Sequence, residues 1–142
     1  MKYFNIFELH RTDVPIYKNS ILNIPNREEV ANLRVLIEHV LDPVRTEWGS
    51  PILVSSGYRC PLLNREVGGV EGSYHIRGMA ADIYAQNGRT DCLFRLIERM
   101  YYNGRLLLTE CYYDEKRGYI HVAYDKADCS KCPFIYKTEQ KC

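Results

Sequence analysis

Ser73-Tyr74-His75-Ile76-Arg77-Gly78-Met79-Ala80-Ala81-Asp82-Ile83 is the stretch on which the reading of this chain turns. A histidine, a glycine and a run of small residues lead into an aspartate that opens an apolar segment. One imidazole and one carboxylate suit zinc, and a catalytic zinc site needs a third protein ligand and an open position for water. His75 and Asp82 therefore set the question of what else the chain brings to them.

The surrounding pattern is mixed helix and strand. Residues 52–54 (Ile-Leu-Val) read as a short buried strand, and residues 80–85 as a second. Between them Gly57, Gly68, Gly69, Gly72 and Gly78 predict a long loop with one helical turn near 62–67. A loop this long in a compact domain usually has a function. Residues 106–111 and 119–124 read as a hairpin around the charged turn Asp114-Glu115-Lys116-Arg117-Gly118.

Upstream, Asn26 with Glu29 three residues on is a capping box for a helix whose inner side carries Val30, Leu33, Ile37, Val40, Leu41 and Val44. Pro43 cannot donate an amide hydrogen, so the helix kinks there or Asp42 caps a new turn running to Trp48, with Gly49 as the stop. Thr90 or Asp91 caps a second helix with Leu93, Phe94, Leu96, Ile97 and Met100 inward, ending at Gly104. Residues 4–11 predict a short helix with Phe4, Phe7 and Ile6 inward, and 12–25, with Pro15 and Pro25, an irregular segment. Nothing after Asp125 has a strong pattern.

The chain has 142 residues, 46% hydrophobic and 26% charged, with a net charge of +1. That fits one soluble domain with a real core, expected as a monomer. Near neutrality argues against nucleic acid as the main partner. No apolar stretch is long enough to span a membrane, and the first residues do not read as a secretory signal. The expectation is synthesis in the cytoplasm, with phage-type release as one route to the cell wall. Twelve tyrosines are many for this length and read as packing at the core edge, with a groove for a polar polymer as the alternative. Without a signal sequence, the six cysteines (Cys60, Cys92, Cys111, Cys129, Cys132 and Cys142) read as free thiols. The other readings are a small metal clip around Cys129, Cys132 and Cys142, or a secreted framework of three disulfides. The expected division is a domain over 1–128 and a cysteine-containing tail over 129–142.

His121, in an alternating strand, is the natural third ligand. His10 and His39 lie on helical patterns and read as surface residues. A hairpin turn centred between Glu115 and Lys116 puts Glu110 opposite His121, where it becomes the expected general base; Asp114 and Glu115 are the fallback. Arg59, just ahead of the metal loop, could grip a carboxylate or a polarised carbonyl in a two-pronged contact, or form a loop salt bridge. Ser73 could donate to substrate or shape its turn. Asn64 and Gly68-Gly69 read as loop builders.

Taken together, Ser56-Gly57-Tyr58-Arg59, Asn64, Val67-Gly68-Gly69, Ser73-x-His75, Gly78-x-Ala80-Ala81-Asp82-Ile83 and Tyr119-Ile120-His121-Val122 resemble the zinc D-alanyl-D-alanine carboxypeptidase family, over roughly residues 3–125. That family includes D-Ala-D-Ala dipeptidases and phage L-alanyl-D-glutamate endolysins, and is related in fold to the hedgehog signalling domain. The resemblance implies an α+β fold with a small antiparallel sheet and flanking helices. It also implies Zn2+ held by His75, Asp82 and His121, Arg59 as the substrate-binding arginine, and hydrolysis of peptidoglycan peptides. Several members carry an acid three positions before the last ligand, where this chain has Gly118, and others a histidine two before it, where this chain has Tyr119. Short phage-type relatives resemble this chain instead, with a glutamate ending the preceding strand, the place of Glu110. The rival reading is a zinc-stabilised module that binds wall peptides or a protein without cutting them.

Overall fold

The computed structural model describes residues 1–14, 23–129 and 133–135. Asn26 opens helix α1 (Arg27–Leu36) with the expected capping box: its Oδ1 accepts from Glu29 N at 2.8 Å and Glu29 Oε1 accepts from Asn26 N at 2.8 Å. Two otherwise unpaired amides are thus satisfied where the helix begins. Asn26→Ala is expected to lower stability by about 1 kcal/mol while leaving metal binding unchanged, as read from paired urea melts and zinc titrations.

Pro43 does not interrupt the helical run. The ladder widens into a π turn over Ile37–Leu41, with Asp42 N donating to Ile37 O, and an α-helix resumes as α2 (Asp42–Trp48) with the proline in its first turn. The proline's missing donor is harmless there. Asp42 does not cap that turn; its buried carboxylate instead accepts from the backbone amides of Lys2 and Tyr3. Gly49, at φ 77, ends α2 in the left-handed conformation.

Five strands form one sheet: β1 (Ile52–Ser56), β2 (Ala80–Ala85), β3 (Glu110–Asp114), β4 (Tyr119–Ala123) and β5 (Phe134–Ile135). The order is β1-β2-β4-β3-β5, antiparallel except for β5, which runs parallel to β3. The fold is α+β, as expected. Between β1 and β2 lie helix α3 (Pro61–Glu66), matching the helical turn predicted near 62–67, and a 3-10 turn over Tyr74–Arg77. Helix α4 (Thr90–Tyr102) crosses β2, β3 and β4 with the expected residues Leu93, Phe94, Leu96, Ile97 and Met100 buried. Thr90 opens it, but its hydroxyl accepts from Ala85 N, which ties helix to strand rather than capping the helix.

Alternation divides the sheet into two faces. Val54, Ile83, Ile120, Val122 and Cys111 are buried on the helix side. Asp82, His121 and Tyr112 form a row across β2, β4 and β3 on the other side. A bulge at Ser55 lets Val54 face Ile83 and Ser56 face Asp82, and the Ser55 hydroxyl donates to Asp82 O at 3.2 Å.

Two expectations are corrected. The N-terminal turn is a 3-10 turn over Phe7–Leu9 that buries Leu9, with Phe4 also buried, while Phe7 is 63% exposed. The hairpin's first strand begins at Glu110, so residues 106–109 are not strand. Much of 12–25 and most of the tail beyond 129 lie outside the described residues. Cys60, Cys92, Cys111 and Cys129 are free, which removes the three-bridge framework; Cys132 and Cys142 lie outside the described residues. Among the described residues no helix is long and apolar enough to cross a membrane.

Candidate metal centre and cleft

His75, Asp82 and His121 come together in the folded chain, all three buried. One ligating atom from each lies within 4.8 Å of the other two. Asp82 and His121 are partners across β2 and β4, and the glycine-rich loop lays His75 over them. Asp82 Oδ1 is 3.2 Å from His75 Nε2 and 3.0 Å from His121 Nδ1.

The donor set fits a tetrahedral cation. With zinc–ligand distances near 2.0–2.1 Å, ligand atoms are spaced about 3.3 Å apart. His75 Nδ1 lies 2.7 Å from the Gly57 carbonyl, which can only accept, so this nitrogen carries the hydrogen. In the neutral ring Nε2 then presents a lone pair toward Asp82, the outer-partner arrangement of metal-ligating histidines. Lone pairs and a carboxylate oxygen converging on one point repel one another unless a proton or a metal cation lies between them.

The electrostatics agree. Burial opposes the charge on Asp82, but the close approach of His121 and His75 outweighs it and holds its carboxyl well below the usual range. Burial likewise works against a charged His121, and Asp82 and Glu110 overcome it and raise its pKa. One shift keeps Asp82 anionic and the other favours a cationic His121, so the buried carboxylate calls for positive charge beside it.

The centre opens into a cleft of about 340 Å³, bordered by Arg59, Ser73, Glu110, Tyr112 and Tyr119 among others. Arg59 is half-buried, and its Nε is buried without a hydrogen-bond partner. No ion pair of Arg59 is found among the described residues, so the salt-bridge reading has no support there. Burial lowers its pKa, so an anionic partner is favoured beside it. Ser73 shapes its turn, its Oγ accepting from His75 N at 3.1 Å, and also borders the cleft. Asn64 builds the loop through Nδ2 to Val70 O.

Glu110 reaches the centre by a different register from the expected one. It pairs with Ala123, and Tyr112 is the residue opposite His121. The shift is two residues, so parity is preserved and Glu110 stays on the site face. Its Oε1 lies 2.8 Å from His121 Nε2, and that hydrogen bond, ahead of the opposing effect of burial, lowers the Glu110 pKa. Asp114 accepts from Arg117 N and shapes the turn, and Glu115 is exposed. His39 is exposed and His10 half-buried, both away from the centre.

Sequence reasoning missed two participants. Tyr112 stacks on the His121 ring at 4.7 Å and 16°, a role that its even spacing from Glu110 could have signalled. The Gly57 carbonyl leaves no side-chain signal at all. Tyr58 and Tyr124 are core residues, and Tyr74, Tyr112 and Tyr119 border the cleft.

Fold and site define the class: a small α+β protein with a buried His/Asp/His centre at the floor of an open cleft. A family model described as Peptidase M15 matches residues 9–123, a span that includes every site residue above, and the chain belongs to this family of metallopeptidases. No curated protein matches the chain.

Proposed function

We propose that the protein is a zinc peptidase that hydrolyses peptidoglycan stem peptides, as a D,D-carboxypeptidase or an endopeptidase. The observation that carries this reading is the convergence of His75 Nε2 and His121 Nδ1 on Asp82 Oδ1, at 3.2 and 3.0 Å, in a chain of a metallopeptidase family. His75, Asp82 and His121 are the residues that would hold the ion. When bound, zinc supplies Lewis acidity and a water acidic enough to attack near neutral pH.

The chain's own groups do the rest. Arg59 binds a substrate carboxylate or the oxygen on which charge develops, and its unpartnered buried Nε gains a partner as it does so. Ser73 keeps its hydroxyl hydrogen free to donate while its oxygen holds the His75 turn. Tyr112 and Tyr119 give the cleft aromatic walls against which a peptide can lie.

Incubating the purified, zinc-loaded protein with defined muropeptides is expected to release new amines. Chelation should stop the release and added zinc restore it. A protein that binds zinc and leaves every stem peptide intact would instead be the non-catalytic binding module. Arg59→Ala is expected to lower kcat/KM by about 10²–10³-fold, the scale of losing one oxyanion donor, with zinc content unchanged by metal analysis.

A further inference from the structure

We propose that Glu110 is a positioning residue for His121: it fixes the imidazole in the tautomer that turns Nδ1 toward the metal, and does not itself take the proton from the nucleophile. The inference rests on the zinc-site reading above and assigns Glu110 a task other than the general base expected from the sequence.

The two nitrogens of His121 face two different carboxylates. Asp82 Oδ1 lies 3.0 Å from Nδ1 and Glu110 Oε1 lies 2.8 Å from Nε2. An ionised carboxylate only accepts, and a neutral imidazole has one N–H to give. With the hydrogen on Nδ1, it would point at Asp82, and the lone pair would be spent against Glu110. With the hydrogen on Nε2, it bonds to Glu110, and the Nδ1 lone pair joins His75 Nε2 and Asp82 Oδ1. Only the second arrangement gives three ligands.

The same logic already governs His75, whose far nitrogen donates to the Gly57 carbonyl at 2.7 Å. Each histidine therefore has its outer nitrogen tied to an acceptor, a backbone oxygen for one and a carboxylate for the other. The stacked Tyr112 ring also limits tilt of the His121 plane. Nδ1 and Nε2 point to opposite sides of the imidazole, so a carboxylate bonded at Nε2 sits behind the ring as seen from the ion. A proton acceptor has to reach the nucleophile itself, directly or through one water. Glu110 is instead engaged where metal-ligating histidines commonly find their orienting carboxylate.

The test compares wild type, Glu110→Gln and Glu110→Ala by zinc competition against a chromophoric chelator. It adds ¹⁵N spectra of the His121 ring and turnover on a muropeptide that the wild type cleaves. Glutamine keeps an oxygen that accepts from Nε2–H, so Glu110→Gln is expected to stay within a few-fold of wild-type zinc affinity. Its turnover should fall by less than the roughly 10²–10⁴-fold lost with a general base. Glu110→Ala is expected to bind zinc about 10–100-fold more weakly and to show mixed His121 tautomers, where wild type and Glu110→Gln show Nε2–H. Zinc affinity and tautomer unchanged in both variants would overturn the proposal, and loss of turnover in both would then make Glu110 the proton acceptor. A wild type that takes up no zinc would overturn the metal reading along with this one. That result is distinguishable because affinity and tautomer are read without any substrate.

Discussion

Replacing Asp82 by alanine is expected to abolish zinc retention and turnover together while leaving the chain folded. Asp82 is the one anionic member of the centre, and its Oδ1 is the atom both imidazoles approach. Its side chain lies on the site face of the sheet, whereas the core is built from the alternate residues Ala81 and Ile83. Removing it takes a proposed ligand and its charge from the cluster, and takes nothing from the core. The loss in affinity should exceed the roughly 10–100-fold typical of an outer-shell partner. Metal content after dialysis and a far-ultraviolet spectrum would check both halves. Asp82→Ala protein that keeps a full equivalent of zinc would remove Asp82 from the ligand set.

The same cluster predicts opposite pH trends with and without metal. Asp82 and Glu110 overcome the effect of burial and raise the His121 pKa above its ordinary value of 6.5. A group whose pKa is higher folded than unfolded adds stability that is complete below the unfolded value and lost as pH rises through the folded one. Chelator-treated wild type should therefore melt at a higher temperature at about pH 6 than at about pH 8. Zinc-loaded protein should trend the other way over that window, because protons compete with the ion for the histidines. Asp82→Ala should flatten the metal-free trend. Thermal melts at both pH values decide it; a stripped wild type that loses stability on acidification would contradict the arrangement of charges described.

How far the sequence reached depended on whether a feature is local. The capping box at Asn26 and Glu29 and the inner face of α4 are set within a few residues, and both were legible. The convergence of His75, Asp82 and His121 was legible for another reason: strand alternation puts Asp82 and His121 on one face once their strands pair. The hairpin register was not. Alternation specifies which face Glu110 occupies, but the turn length sets which residue it opposes, and a five-residue charged turn admits registers two residues apart with equal parity. The π turn at Ile37–Leu41 answers a proline whose effect depends on what the helix is buried against, which no local pattern encodes. Phe7 does not face inward as expected, because a 3-10 turn does not follow the helical period that places it there.

Gly57→Ala is expected to destabilise the fold by about 3 kcal/mol, the upper end of the overpacking range, and to weaken zinc binding as well. The strain would come from space, not from backbone angles. A Cβ built on Gly57 would collide with Leu9 O and lie 2.9 Å from Leu9 Cα. Those are backbone atoms of a residue whose side chain is fully buried, so they cannot swing aside as a flexible side chain could. The added methyl must push the Leu9 turn away or displace the Gly57 peptide. The same peptide carries the carbonyl that holds His75 Nδ1 at 2.7 Å, so displacing it loosens a proposed zinc ligand. Gly104→Ala is the control. At φ 78, with nothing within 4 Å of its built Cβ, Gly104 should cost only the roughly 1–2 kcal/mol of a left-handed backbone and leave zinc binding alone. Urea midpoints and zinc competition on the two variants separate the effects. If Gly57→Ala matched Gly104→Ala in both measurements, the close approach of Leu9 to Gly57 would not be what holds His75 in place.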